Sequence, residues 1–142
     1  MKNWKARLLL AALAAMMIVF CGHALAENVT TIRFEPQGGK SEYFVGDTIA
    51  IDVRLANNPG DMSSFVASVD YDADVLEYQG IDYSGSILKY WPTKIWTQKY
   101  KQIYAVTNSK SQYVSNDGLI CTLTFKALRE CDATTVAPGS IV

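Results

Sequence analysis

No stretch of this chain sustains a helical hydrophobic period over three turns; short alternating runs between turn residues recur instead. Alternation at period two puts one set of side chains on one face of a pleated strand. Thr48–Asn57 places Ile49, Ile51, Val53 and Leu55 on one face. Ser63–Tyr71 sets Phe65, Ala67, Val69 and Tyr71 against Ser64, Val66, Ser68 and Asp70. Leu119–Leu128 is the cleanest late strand, and Val29–Glu35, Val75–Ile81, Ile87–Lys89, Ile95–Tyr100 and Gln102–Thr107 are further strand segments. Between them stand Gly38-Gly39, Gly46-Asp47, Asn57-Asn58-Pro59-Gly60-Asp61, Asp72-Ala73-Asp74 and Asn116-Asp117-Gly118. Gly, Asn and Asp tolerate turn backbone and Pro presets it. Many short strands with regular turn signals predict an all-β sandwich or barrel. At 142 residues the chain is long enough for one domain, and its 49% hydrophobic content excludes a disordered one.

The first 26 residues read as an address. Lys2, Lys5 and Arg7 precede an apolar run from Leu8 to Phe20, and Ala24-Leu25-Ala26 supplies a small-residue cleavage site. That order is a secretory signal, and the run is shorter than the ~20 residues a bilayer crossing needs. Phe20 stands where a lipoprotein signal needs a small residue before Cys21. The expected mature domain is 27–142, secreted or at the cell surface, with no stable membrane insertion. The C-terminal Ile141-Val142 looks like the opening of another strand, so the sandwich is expected to lack its closing strand.

Removing the leader leaves 10 of the 13 Lys and Arg and all 14 acids, a net charge of −4. It also removes His23, the single histidine. Most general-base, triad and zinc chemistry goes with it. Mild negative charge gives no reason to expect nucleic acid. Cys121 and Cys131 remain. On the predicted last strand Cys121 lies about seven residues before the end, or ~23 Å. That exceeds the ~7 Å between bridged Cα atoms. Cys121 therefore reads as a small core residue and Cys131 as a loop thiol.

Three features invite functional readings. Asp70, Asp72 and Asp74 form D-x-D-x-D, but Val75 and Ile81 occupy the positions where a calcium loop needs Gly and a carboxylate. An Asx-type turn at a strand end fits better, and no metal or cofactor site is assigned. Tyr83, Tyr90, Trp91, Trp96, Tyr100 and Tyr104 crowd 22 residues. They suit either a sandwich core or a sugar-stacking platform, with Tyr90, Trp91 and Trp96 as the carbohydrate-contact candidates. Ser84–Asn116 holds Lys89, Lys94, Lys99, Lys101 and Lys110 and no acid. Such a run is either a solvated surface or a face that steers an acidic partner.

Gly46-Asp47-Thr48-Ile49-Ala50-Ile51, Tyr71-Asp72-Ala73-Asp74-Val75-Leu76-Glu77 and Asn116-Asp117-Gly118-Leu119-Ile120-Cys121-Thr122-Leu123-Thr124-Phe125-Lys126 occur in that order. They resemble the G-D-x-hydrophobic, Y-D-P-x-V-L-E and D-G-…-T-F-K segments of the cohesin domain, the receptor module of cellulosome scaffolds, with Ala73 in place of the usual Pro. The resemblance covers about Val29–Leu128 and is loose from Tyr83 to Tyr113. It implies a nine-stranded jelly-roll sandwich without catalytic activity. Its implied partner is the dockerin, a calcium-loaded helix pair carried by polysaccharide-degrading enzymes. The polar side chains that members carry on the outward face of the third strand fall at Ser64 and Val66. Ser64 still hydrogen-bonds, and Val66 makes the surface more apolar. In the family register Ile103, Ala105 and Thr107 point outward with Asn108 at the strand end, while Tyr104 and Val106 point inward; the opposite register exchanges the faces. The expected partner surface is Ser64, Val66, Ser68, Ile103, Ala105 and Asn108. The rival readings are a carbohydrate-binding module that holds polysaccharide, and a surface adhesin or structural sandwich. No spacing singles out two carboxylates for glycoside hydrolysis.

Overall fold

The computed structural model describes residues 7–9 and 30–139; the rest of the expected leader and Ile141-Val142 lie outside the described residues. Among the described residues ten strands appear: β1 (Arg7–Leu9), β2 (Thr31–Pro36), β3 (Glu42–Phe44), β4 (Thr48–Ala56), β5 (Ser64–Tyr71), β6 (Leu76–Asp82), β7 (Thr93–Thr97), β8 (Gln102–Val106), β9 (Gly118–Ala127) and β10 (Val136–Pro138). They form two four-stranded antiparallel sheets, ordered β10-β5-β8-β7 and β2-β4-β9-β6, and a small β1-β3 pair. The chain is thus an all-β sandwich.

The alternating runs deliver the core. Ile49, Ile51, Val53 and Leu55 of β4 are buried, as are Phe65, Ala67, Val69 and Tyr71 of β5. From β9 come Cys121, Leu123 and Phe125. The Tyr71 ring meets Phe125 edge-on at 4.9 Å between centroids, which joins the layers. At the β6–β7 border Tyr78 stacks on Trp96 at 4.4 Å and 16°, closing the sandwich side.

The turn motifs hold the strands in place. Gly46 adopts φ +90°, and the Asp47 carboxylate accepts a hydrogen bond from the Phe44 N–H at 3.0 Å. That bond, with Lys40 close by, holds the Asp47 carboxyl below the ordinary range. Asp72 accepts from the Asp74 N–H at 2.9 Å, the Asx turn expected at the end of β5. Gly118 passes so close to Ile87 that an added Cβ would lie 2.6 Å from its Cγ2.

Ile87–Lys89 is not a strand but a series of turns. Its apolar character has another cause. Ser86 Oγ donates to the Ile120 carbonyl and accepts from the Leu88 N–H, which lowers Leu88 and Trp91 into the core. The expected strand Ile95–Tyr100 is displaced to Thr93–Thr97, because Gln98–Tyr100 forms a tight turn closed by Lys101 in the left-handed region. Three strands, β1, β3 and β10, occur where none was expected, β1 within the expected leader; each is three residues long and shows no period of its own.

Candidate functional site

The two outer faces of the sandwich differ in chemistry. On the β2-β4-β9-β6 side, Asp52 of β4 accepts from Gln37 Nε2 and Thr122 Oγ1, each at 2.9 Å. Arg54 approaches Asp52 at 3.1 Å and Glu35 at 3.6 Å. These charges satisfy one another around an open depression lined by Glu35, Pro36, Gln37, Gly38, Gly39, Asp52 and Arg54.

The β10-β5-β8-β7 side carries three aligned rows. The pairings Val66–Tyr104 and Tyr104–Ile95 form the central row. Ser64–Val106–Thr93 lies on one side of it and Ser68–Gln102–Thr97 on the other. Residues paired across an antiparallel ladder share a face, so all nine side chains point outward. Val66 is 50% exposed and Ile95 49%. The Gly139 N–H donates to the Ser68 carbonyl at 2.8 Å, and an added Cβ at Gly139 would lie 3.0 Å from Ser68 Cβ.

Ser64, Val66 and Ser68 therefore stand on this face, and Asn108 is exposed just past the end of β8. Ile103 and Ala105 do not: both are fully buried, and Thr107 is buried with them. The register is the opposite of the expected one. Phe65 and Ala67 of β5 face the core, and their partners Ala105 and Ile103 must face it too. Tyr104 and Val106 turn outward in their place, joined by Gln102 and by Thr93, Ile95 and Thr97 of β7. The alternation of this segment could not reveal this, because each side of Gln102–Thr107 carries two apolar residues and one polar one. Pairing against β5 was the usable signal.

The aromatic candidates divide by burial. Trp91 is 2% exposed, and its Nε1 donates to the Gln112 carbonyl at 2.7 Å, so it is a core residue rather than a sugar contact. Trp96 packs on Tyr78 and donates to Gln98 Oε1 at 2.7 Å. Tyr90 is 72% exposed, with Lys89 over its ring at 4.8 Å.

The lysine run does not form a basic patch on the face. Lys94 lies between Thr93 and Ile95 but points to the other side, where its ammonium donates to the carbonyls of Lys89 at 3.0 Å and Trp91 at 2.5 Å. Lys101 donates to the Tyr71 carbonyl at 2.9 Å and covers that ring at 4.2 Å.

Neither thiol is an activated nucleophile. Cys121 and Cys131 are both free. Burial pushes Cys121 up to about 12. Partial burial, then the Asp72 carboxylate, raises Cys131 as well. A reactive cysteine needs the reverse shift. Among the described residues no three His, Cys, Asp or Glu side chains converge as a metal cluster.

Two antiparallel sheets around a filled core define a β-sandwich, and three rows of one outer face carry no charge. The sequence profile of the cohesin domain matches residues 37–141, and the chain belongs to that family. Solved structures agree in fold. The type II cohesin–X-dockerin complex from Acetivibrio cellulolyticus is 18% identical over 80% of each chain, with a TM-score of 0.57. The OlpA cohesin–dockerin complex from Clostridium thermocellum is 17% identical over 74% of this chain and 76% of that one, with a TM-score of 0.55. The seventh ScaB type I cohesin from Pseudobacteroides cellulosolvens is 20% identical over 67% of this chain and 66% of that one, at 0.54. No curated protein matches the chain.

Proposed function

We propose that the chain is an exported, non-catalytic docking module that captures dockerin-bearing enzymes on the outer face of β10-β5-β8-β7. It would gather polysaccharide-degrading enzymes at the cell surface or in the medium, raising their effective concentration near the substrate. One observation carries the reading: in a cohesin-family chain, Val66 and Ile95 stand half-exposed on a three-row face with no charge among its nine side chains. An exposed apolar patch with a polar rim favours association. The contact set is Ser64, Val66, Ser68, Tyr104, Val106 and Ile95, with Asn108 at its margin. The leader at 1–26 supports export.

The test is capture of purified, calcium-loaded dockerins by the immobilised protein. Binding that is lost on chelation of calcium is the expected result. No dockerin binding, combined with retention on insoluble cellulose or xylan, would transfer the assignment to a carbohydrate-binding module. Burial of Trp91 and the stacking of Trp96 weigh against that rival, since they leave Tyr90 as the one exposed aromatic of its three candidates.

A further inference from the structure

We infer that this face chooses its partner by an apolar stripe, Val66–Tyr104–Ile95, and rejects partners that present charge over its aliphatic ends. The inference rests on the docking reading above and concerns which member of the partner class fits. Val66, Tyr104 and Ile95 are cross-strand neighbours. At ~4.8 Å between strands the row is roughly 10 Å long, about the width of one α-helix. Val106 extends the apolar area into the next row. The remaining rim residues, Ser64, Thr93, Ser68, Gln102 and Thr97, are hydroxyls and one amide, able to donate or accept but carrying no charge.

The charges that could have altered this face lie outside its three rows. Lys94 and Lys101 spend their ammonium groups on backbone carbonyls. Asp70, the outward acid of β5, sits beyond the rows at the β10 end, paired with Ala137. A partner that brought Lys, Arg, Asp or Glu over Val66 or Ile95 would strip water from that charge and return no counter-charge. An aliphatic side chain there loses nothing and buries Val66 and Ile95. Discrimination thus comes from a repulsive element as well as an attractive one.

The test uses the full chain and a panel of purified calcium-loaded dockerins, sorted by whether the exposed contact residues of their helices are aliphatic or basic. Binding is measured by calorimetry. The aliphatic class is expected to bind, and Ile95→Asp and Val66→Asp are each expected to weaken it by at least ~30-fold. Affinity is expected to change by less than ~3-fold between ~0.05 M and ~1 M NaCl, because no exposed ion pair is screened. Ile95→Thr, which suits an edge strand, guards against a folding defect; it keeps the thermal midpoint and still weakens binding. Binding confined to the basic class, or a fall of ~10-fold or more in salt with Ile95→Asp silent, overturns the inference and leaves the docking module standing. No binding across the panel overturns both.

Discussion

The two outer faces of this sandwich are built from the same alternation and end in opposite chemistries. On the β2-β4-β9-β6 side, Asp52 is met by Gln37, Thr122 and Arg54, and Arg54 also reaches Glu35. A cluster whose charges pair with one another is complete in water. On the β10-β5-β8-β7 side, Val66 and Ile95 stay half-exposed. What distinguishes an interface from a finished surface is therefore unsatisfied apolar area, not the presence of charge.

The comparison breaks first if the layer that both faces share is disturbed. Trp91→Ala should cost about 3–5 kcal/mol by emptying a core site and leaving the Gln112 carbonyl without its donor. Chemical denaturation reads this directly. Next comes Ile95→Asp, whose ~30-fold loss of dockerin capture corresponds to ~2 kcal/mol, with the near-UV dichroism unchanged. Trp96→Ala should cost about 1–2 kcal/mol through the lost stack on Tyr78. It should leave retention on cellulose where it was; a loss of retention with unchanged stability would make Trp96 a sugar contact.

Smaller effects sharpen the contrast from the charged side. Asp52→Ala should cost about 1 kcal/mol, since three partners lose their acceptor on a partly exposed surface, while dockerin capture is unaltered. The smallest effect is one of pH. Asp47 is held below its ordinary value of 3.8, first by the Phe44 N–H and then by Lys40. A lowered carboxyl stabilises the fold fully above the ordinary value and loses that contribution as pH falls through the lower folded one. Asp47→Asn should therefore narrow the difference in thermal midpoint between pH 6 and pH 3 by a small, measurable amount. An unchanged difference would show that the turn does not depend on the charge.

Much of the fold was legible because β4, β5 and β9 each set apolar against polar residues at period two. The family was legible for a different reason. The segments that mark it perform structural tasks: Gly46-Asp47 turns the chain into β4, Asp72 caps the end of β5, and Gly118 clears Ile87 at the start of β9. None of them lies in the three rows of the open face. Residues that identify this chain are thus separate from those that would select its partner, and reading the first set says little about the second. The aromatic cluster was illegible in the same way. Trp91, Trp96 and Tyr90 look alike in a list of residues, yet one fills the core, one seals an edge and one faces water.

The amino-acid order alone determined the strand-rich architecture, the inward sets of β4, β5 and β9, and membership of the family, because those signals are local: a two-residue period and turn chemistry over four to six positions. Only the tertiary structure decided which side of β8 is wet. Ile103 and Ala105 compete with Tyr104 and Val106 on equal hydrophobic terms, so no local period separates them. The hydrogen-bonded register against β5 breaks the tie, since a strand shifted by one residue exchanges every side chain between core and solvent.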